Sequence, residues 1–146
     1  MYIRLATKDD LDEIYQLFDN YTKETLRDYS TIFDKDKAQQ AISRLVRINC
    51  AFIGIESEKI IGGMAGVITP CLFSSDIIFN SLFFFIHEDY RRFTKEFLRQ
   101  VEEAFKKTKI TRLIIGHPAM NNGKVVDRFY RMLGFQKLEI QYFKAV

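Results

Sequence analysis

The chain has 146 residues, 47% of them hydrophobic, and a formal net charge of +3. That size suits one domain over residues 1–146, and no apolar run approaches the roughly 18–20 residues needed to cross a bilayer. Cys50 and Cys71 form no CxxC pair or metal-ligand cluster, which predicts thiols of a cytoplasmic protein and no metal site; the start, MYIRLATKDD, turns acidic too early for a secretory signal.

The charge is uneven. Residues 89–146 hold 13 Lys/Arg against 6 Asp/Glu, while residues 1–88 hold 9 against 13. The C-terminal part therefore attracts anions. Its cations are spread over helices and loops rather than gathered in one stripe, which favours a small polyanionic ligand over nucleic acid.

In chain order, residues 2–6 alternate as a strand, and Thr7 opens a helix with Asp10 as a capping-box partner. Leu11, Ile14, Tyr15, Leu17, Phe18 and Tyr21 form its apolar stripe. Residues 23–33 read as a loop flanking a cleft. Asp34 is placed to cap a second helix through about Arg47, with Ala38, Ile42, Leu45 and Val46 inward. From Cys50 the period changes to that of a hairpin: strands at 50–56 and 60–69 around Ser57-Glu58-Lys59. Gly62, Gly63 and Gly66 predict a bulge or a close approach within the second strand.

The stretch 81–105 organises the rest. A strand over 76–86 ends in the apolar run Leu82-Phe83-Phe84-Phe85-Ile86. A cationic turn, Tyr90-Arg91-Arg92, leads into a helix to about Lys107, with Phe93, Phe97, Leu98, Val101, Ala104 and Phe105 at helical spacing. A helix start offers unpaired N–H groups and a positive dipole end, so Arg91, Arg92 and Lys95 there predict a site for a phosphorylated ligand. A strand over 111–116 should pair parallel with 77–86 through a right-handed crossover. A loop over 117–124, a helix over 125–133 ended by Gly134, and one or two aromatic closing strands over 135–146 complete the chain. These closing strands could build a homodimer. The order predicts an α/β or α+β sheet of six to seven mostly antiparallel strands, one parallel crossover and about four helices on both faces.

These features resemble the GCN5-related N-acetyltransferase family over essentially the full chain. IRLATKDDLDEIYQLF resembles its first strand and helix, and the GG-x-x-G hairpin its second and third strands. Tyr90-Arg91 resembles the start of its pyrophosphate turn. Tyr130 with Leu133-Gly134-Phe135 resembles its last helix and turn, and Ser75-Asp76 before a long apolar strand resembles a phage-borne subset. One feature departs from the pattern: the segment 91–96, RRFTKE, has no glycine where the family's cofactor loop carries two.

The resemblance implies acetyl transfer from acetyl-CoA to a primary amine of a small molecule or a protein. It implies a pantetheine arm lying in a splayed gap between strands 82–86 and 112–116, paired with backbone near Phe84, Phe85 and Ile86. The pyrophosphate would fall to Arg91, Arg92, Phe93, Thr94 and Lys95, and Asn121 or Asn122 could bond the pantetheine. Tyr130 matches the family's proton donor to the leaving thiolate. A free lysine amine has a pKa near 10.4, so a base must remove a proton; His117, His87 and Asp76 are the candidates. The competing class is a binding module on the same fold whose cofactor loop has decayed.

Overall fold

The computed structural model describes residues 1–25, 34–116 and 123–138. Five strands form one sheet in the order β1-β2-β3-β4-β5: β1 is Tyr2–Leu5, β2 Ala51–Glu56, β3 Lys59–Pro70, β4 Ile77–Ile86 and β5 Arg112–Ile115. The first three pairings are antiparallel and β4–β5 is parallel. Four α-helices accompany it among the described residues: α1 Leu11–Thr25, α2 Lys35–Arg47, α3 Thr94–Phe105 and α4 Gly123–Met132.

The expectation of six to seven strands is corrected to five among the described residues. Residues 135–138, expected to begin the closing strands, carry no strand pairing, and 139–146 lie outside the described residues. The first of these residues is held back against the end of α4. Gly134 takes φ +85, Gly134 N–H bonds Arg131 C=O at 3.0 Å, and Phe135 N–H bonds Tyr130 C=O at 3.0 Å. This winds the chain tightly around the end of α4 through Phe135, as a left-handed glycine after a helix does.

The helix starts follow the sequence. Asp34 accepts from Lys37 N–H at 3.1 Å and caps α2, whose Ile42, Leu45 and Val46 are buried. Before α1, Thr7 N–H and hydroxyl both donate to Asp10, at 2.7 and 2.9 Å. Arg4 meets the same carboxylate with two nitrogens, at 2.7 and 2.8 Å. The Arg4 guanidinium holds the Asp10 carboxyl well below the usual carboxylate range, with Thr7 adding to the effect. A folded-state pKa below the unfolded one contributes stability above about pH 4, and this is lost as pH falls through the folded value. Asp10→Asn is therefore expected to cost about 1–2 kcal/mol at neutral pH, a figure discounted for the partial exposure of Arg4. It should also flatten the fall in stability below about pH 4. Urea denaturation of both proteins across acid pH measures this; parallel acid limbs would dismiss the clamp.

Beyond Leu82 both faces of β4 are covered, which explains the apolar run Phe83–Ile86. Phe83 meets Phe18 and Tyr21, each at 5.1 Å between ring centroids, and Phe85 meets Tyr21 at 5.9 Å, so these two face α1. Phe84 meets Phe97 at 5.6 Å and Phe79 meets Phe105 at 4.9 Å, so these two face α3. Residues an odd number apart on a regular strand point to opposite faces, yet Phe79 and Phe84 share one. A bulge resolves this. β3 and β4 register as Ala65 with Phe83 and then Gly66 with Ser81, leaving Leu82 as the extra residue. Gly66 lies beside the bulge, and a Cβ there would sit 2.3 Å from Asn80 C=O. The close approach expected of the strand glycines is thus real, and its cause is the bulge.

Candidate active site

β4 pairs with β5 only from Ile78 with Arg112 to Ser81 with Ile115. Pairing with β3 continues to Ile86 with Gly62. Beyond the bulge, β4 therefore runs on through residues 82–86 with one edge unpaired among the described residues. A bulge bends its strand and increases the twist, so the departure from β5 falls where Leu82 is inserted. Ser81, buried, donates its hydroxyl to Phe83 C=O at 3.1 Å and spans the extra residue.

The ladder decides which groups face the open edge. His87 N–H donates to Ile61 C=O at 2.9 Å, which fixes His87, Phe85 and Phe83 as the residues bonded toward β3. Alternation turns the N–H and C=O groups of Phe84 and Ile86 the other way. Of the three expected cofactor-strand residues, Phe84 and Ile86 can offer backbone bonds at that edge, while Phe85 is engaged with β3. The expected facing wall is displaced. Residues 112–115 pair with 78–81 rather than lying opposite 82–86, so the gap opens beyond the end of β5.

The cationic turn also differs from its expected form. Glu88–Phe93 is a 3-10 helix that runs into α3 through Phe93, itself in the right-handed helical region. Thr94 N–H is already bonded to Arg91 C=O. The helical start thus lies at Glu88 and Asp89, two carboxylates, and not at Arg91–Lys95. A turn without glycine favours this regular winding over an open loop of free N–H groups. Its charge is carried by side chains. Arg91 pairs with Glu24 of α1 at 2.7 Å. The Arg92 guanidinium lies 4.8 Å from the Phe93 ring centroid and 5.9 Å from that of Tyr90. Lys95 is exposed, and Thr94 donates its hydroxyl to Arg91 C=O at 2.7 Å.

Tyr130 sits on the last turns of α4, between Phe129 and Phe135, with ring centroids at 5.6 and 5.4 Å. Burial pushes its hydroxyl up to about 12, so it remains protonated through the neutral range.

Of the candidate bases, Asp76 and His87 are among the described residues, and they stand at opposite ends of β4. Asp76 lies just before β4, at the end of the strand remote from residues 82–86. It accepts from Ser74 at 2.6 Å, Thr111 at 2.9 Å and Arg112 at 2.6 Å. Those donors, Ser74 foremost, hold its pKa down at about 2, which leaves a weak base tying β4 to β5. His87 accepts from Asp89 N–H at 3.4 Å and caps the 3-10 turn. His117, Asn121 and Asn122 lie outside the described residues.

Sequence reasoning missed three participants: Leu82 as the bulged residue, Ser81 as its brace and Glu24 as the partner of Arg91. A polar Ser81 within an apolar run was the one available signal for the first two. Nothing local links Glu24 to a residue 67 positions away.

A parallel strand pair that parts at a bulge, beside a helix entered through a basic turn, is the arrangement the resemblance implied, and solved acetyltransferase structures share this chain's fold over its full length. An aminoglycoside antibiotic 6'-N-acetyltransferase from Acinetobacter haemolyticus matches with a TM-score of 0.72 at 16% identity, covering 100% of this chain and 99% of its own. A ribosomal-protein-alanine N-acetyltransferase from Brucella melitensis biovar Abortus 2308 matches with a TM-score of 0.73 at 14% identity, over 99% and 97%. An aminoglycoside acetyltransferase from an uncultured soil metagenomic sample, in complex with sisomicin, matches with a TM-score of 0.72 at 14% identity, over 99% and 95%. No protein-family model and no curated protein matches the sequence. No helix among the described residues is long and apolar enough to cross a membrane.

Proposed function

We propose that this protein is an acyl-CoA-dependent N-acetyltransferase that moves an acetyl group to a primary amine, on a small molecule or a protein, by direct attack in a ternary complex. One observation carries the reading: β4 outruns β5 past the Leu82 bulge, with Phe84 and Ile86 backbone groups at the unpaired edge. Backbone donors and acceptors along such an edge suit the amides of a pantetheine arm, as they suit an added strand. Arg91, Arg92 and Lys95 suit its diphosphate by side-chain charge.

Acetyl-CoA would supply the thioester. A Phe84 or Ile86 N–H can stabilise the negative charge that develops on the carbonyl oxygen. Loss of a proton from the attacking ammonium falls to His117, directly or through water. The new N–C bond would form as the C–S bond breaks, with Tyr130 giving its proton to the departing sulfur and recovering one, directly or through water, from the second proton that the new amide nitrogen releases. The aminoglycoside and protein acceptors of the structural neighbours bracket the acceptor class without choosing within it. We assign Asn121 and Asn122 to the pantetheine and Asp76 to holding the strand pair.

A second reading, a ligand- or partner-binding module, is favoured by the regular winding of Glu88–Phe93 and its acidic first turn. Thermal denaturation with and without acetyl-CoA separates the two. A competent site at 100 times its Kd gains about 2.7 kcal/mol, so the melting temperature should rise by several degrees. An unchanged melting curve at millimolar acetyl-CoA would leave the binding module.

A further inference from the structure

We propose that Glu24 is a carboxylate stand-in for the cofactor's diphosphate, so that cofactor entry must exchange it off Arg91. The inference rests on the reading of Arg91 as a diphosphate ligand. Arg91 Nη2 meets Glu24 Oε2 at 2.7 Å, joining the 3-10 turn to the last turn of α1. No other acid pairs with this guanidinium among the described residues. The other turn cations differ: Arg92 donates to Asp89 C=O at 3.4 Å and stacks over its own turn's rings, and Lys95 is exposed.

Carboxylate and phosphate oxygens are alternative acceptors for the same guanidinium fork. Glu24 contacts Arg91 through one nitrogen, and the Arg91 side chain is 61% exposed, so the pair is of the weak, solvent-screened kind that a multiply charged ligand can displace. The exchange has a consequence for the other side of the sheet. α1 also supplies Phe18 and Tyr21 against Phe83 and Phe85 of β4. Freeing Glu24 therefore couples cofactor occupancy to the helix that backs the open strand. By linkage, a ligand that draws Glu24 away would tighten cofactor binding, and the cofactor would tighten that ligand's binding by the same factor.

The test is calorimetric titration of acetyl-CoA into the wild type, Glu24→Gln, Arg91→Ala and the double variant, with circular dichroism to check folding. Glu24→Gln should tighten binding by about two- to fivefold, the range set by a weak exposed pair. The gain should vanish when Arg91 is absent. Unchanged or weaker binding by Glu24→Gln would overturn the exchange. So would an equal gain in the Arg91→Ala background, which would be a general relief of negative charge. If the wild type binds and Glu24→Gln does not respond, only the exchange is lost. If neither protein binds at millimolar acetyl-CoA, the proposed function falls and takes the exchange with it.

Discussion

Tyr130→Phe should lower kcat by about 10²–10⁴-fold, the range for loss of a positioned general acid, while the Kd for acetyl-CoA stays within about twofold. The substitution removes only an oxygen. The ring keeps its neighbours Phe129 and Phe135, and the turn that ends α4 uses the Tyr130 backbone C=O, which accepts from Leu133 and Phe135 N–H at 3.0 Å each. Folding should therefore survive, so a fall in turnover would report chemistry. The pH profile adds an independent reading. Burial raises the hydroxyl to about 12, and a raised pKa keeps the donor protonated at every lower pH. Wild-type kcat should accordingly show no alkaline decline attributable to Tyr130 below about pH 10. Steady-state kinetics with a set of amine acceptors measures both. Equal turnover by the phenylalanine variant would remove Tyr130 from the mechanism.

The second large effect belongs to Gly66. A methyl group there would sit 2.3 Å from Asn80 C=O and 2.8 Å from the Phe79 ring. The first obstacle is backbone, and Phe79 is fully buried between Phe52 and Phe105. Neither can swing aside, so β3 and β4 must separate. Gly66→Ala is expected to destabilise the fold by about 2–3 kcal/mol or more, the cost of forced overpacking. Gly63 provides the control, since a Cβ there meets nothing nearer than Phe52 C=O at 3.2 Å. Gly63→Ala should therefore cost less. Urea denaturation of the two variants orders them. Because Gly66 accommodates the bulge that ends the β4–β5 pairing, its alanine variant should also weaken acetyl-CoA binding beyond the loss of folded protein. A Gly66→Ala protein as stable as wild type would show that the bulge does not depend on this position.

Local signals in the sequence were enough for the helix ends and the apolar helix stripes. Thr7 with Asp10, Asp34 before α2, and Gly134 after α4 each mark a helix end, because a cap is made within a few residues. The apolar stripes of α1, α2 and α3 are legible for the same reason. The resemblance rested on these local features, and it identified the fold. The 3-10 winding of Glu88–Phe93 was not legible, since a glycine-free basic turn can be read either as an open anion loop or as one more helical turn.

By itself the sequence determined the element order as far as α4, the helix caps, the parallel crossover and the need for glycine within β3. Tertiary structure alone decided where β4 leaves β5, that Leu82 is the extra residue, that Phe84 and Ile86 rather than Phe85 face the open edge, and that Glu24 holds Arg91. The physical reason is one of range. Caps and periodicity are set by neighbours in the chain, whereas register, bulges and ion pairs between distant elements are set by which strands and helices the packed core brings together.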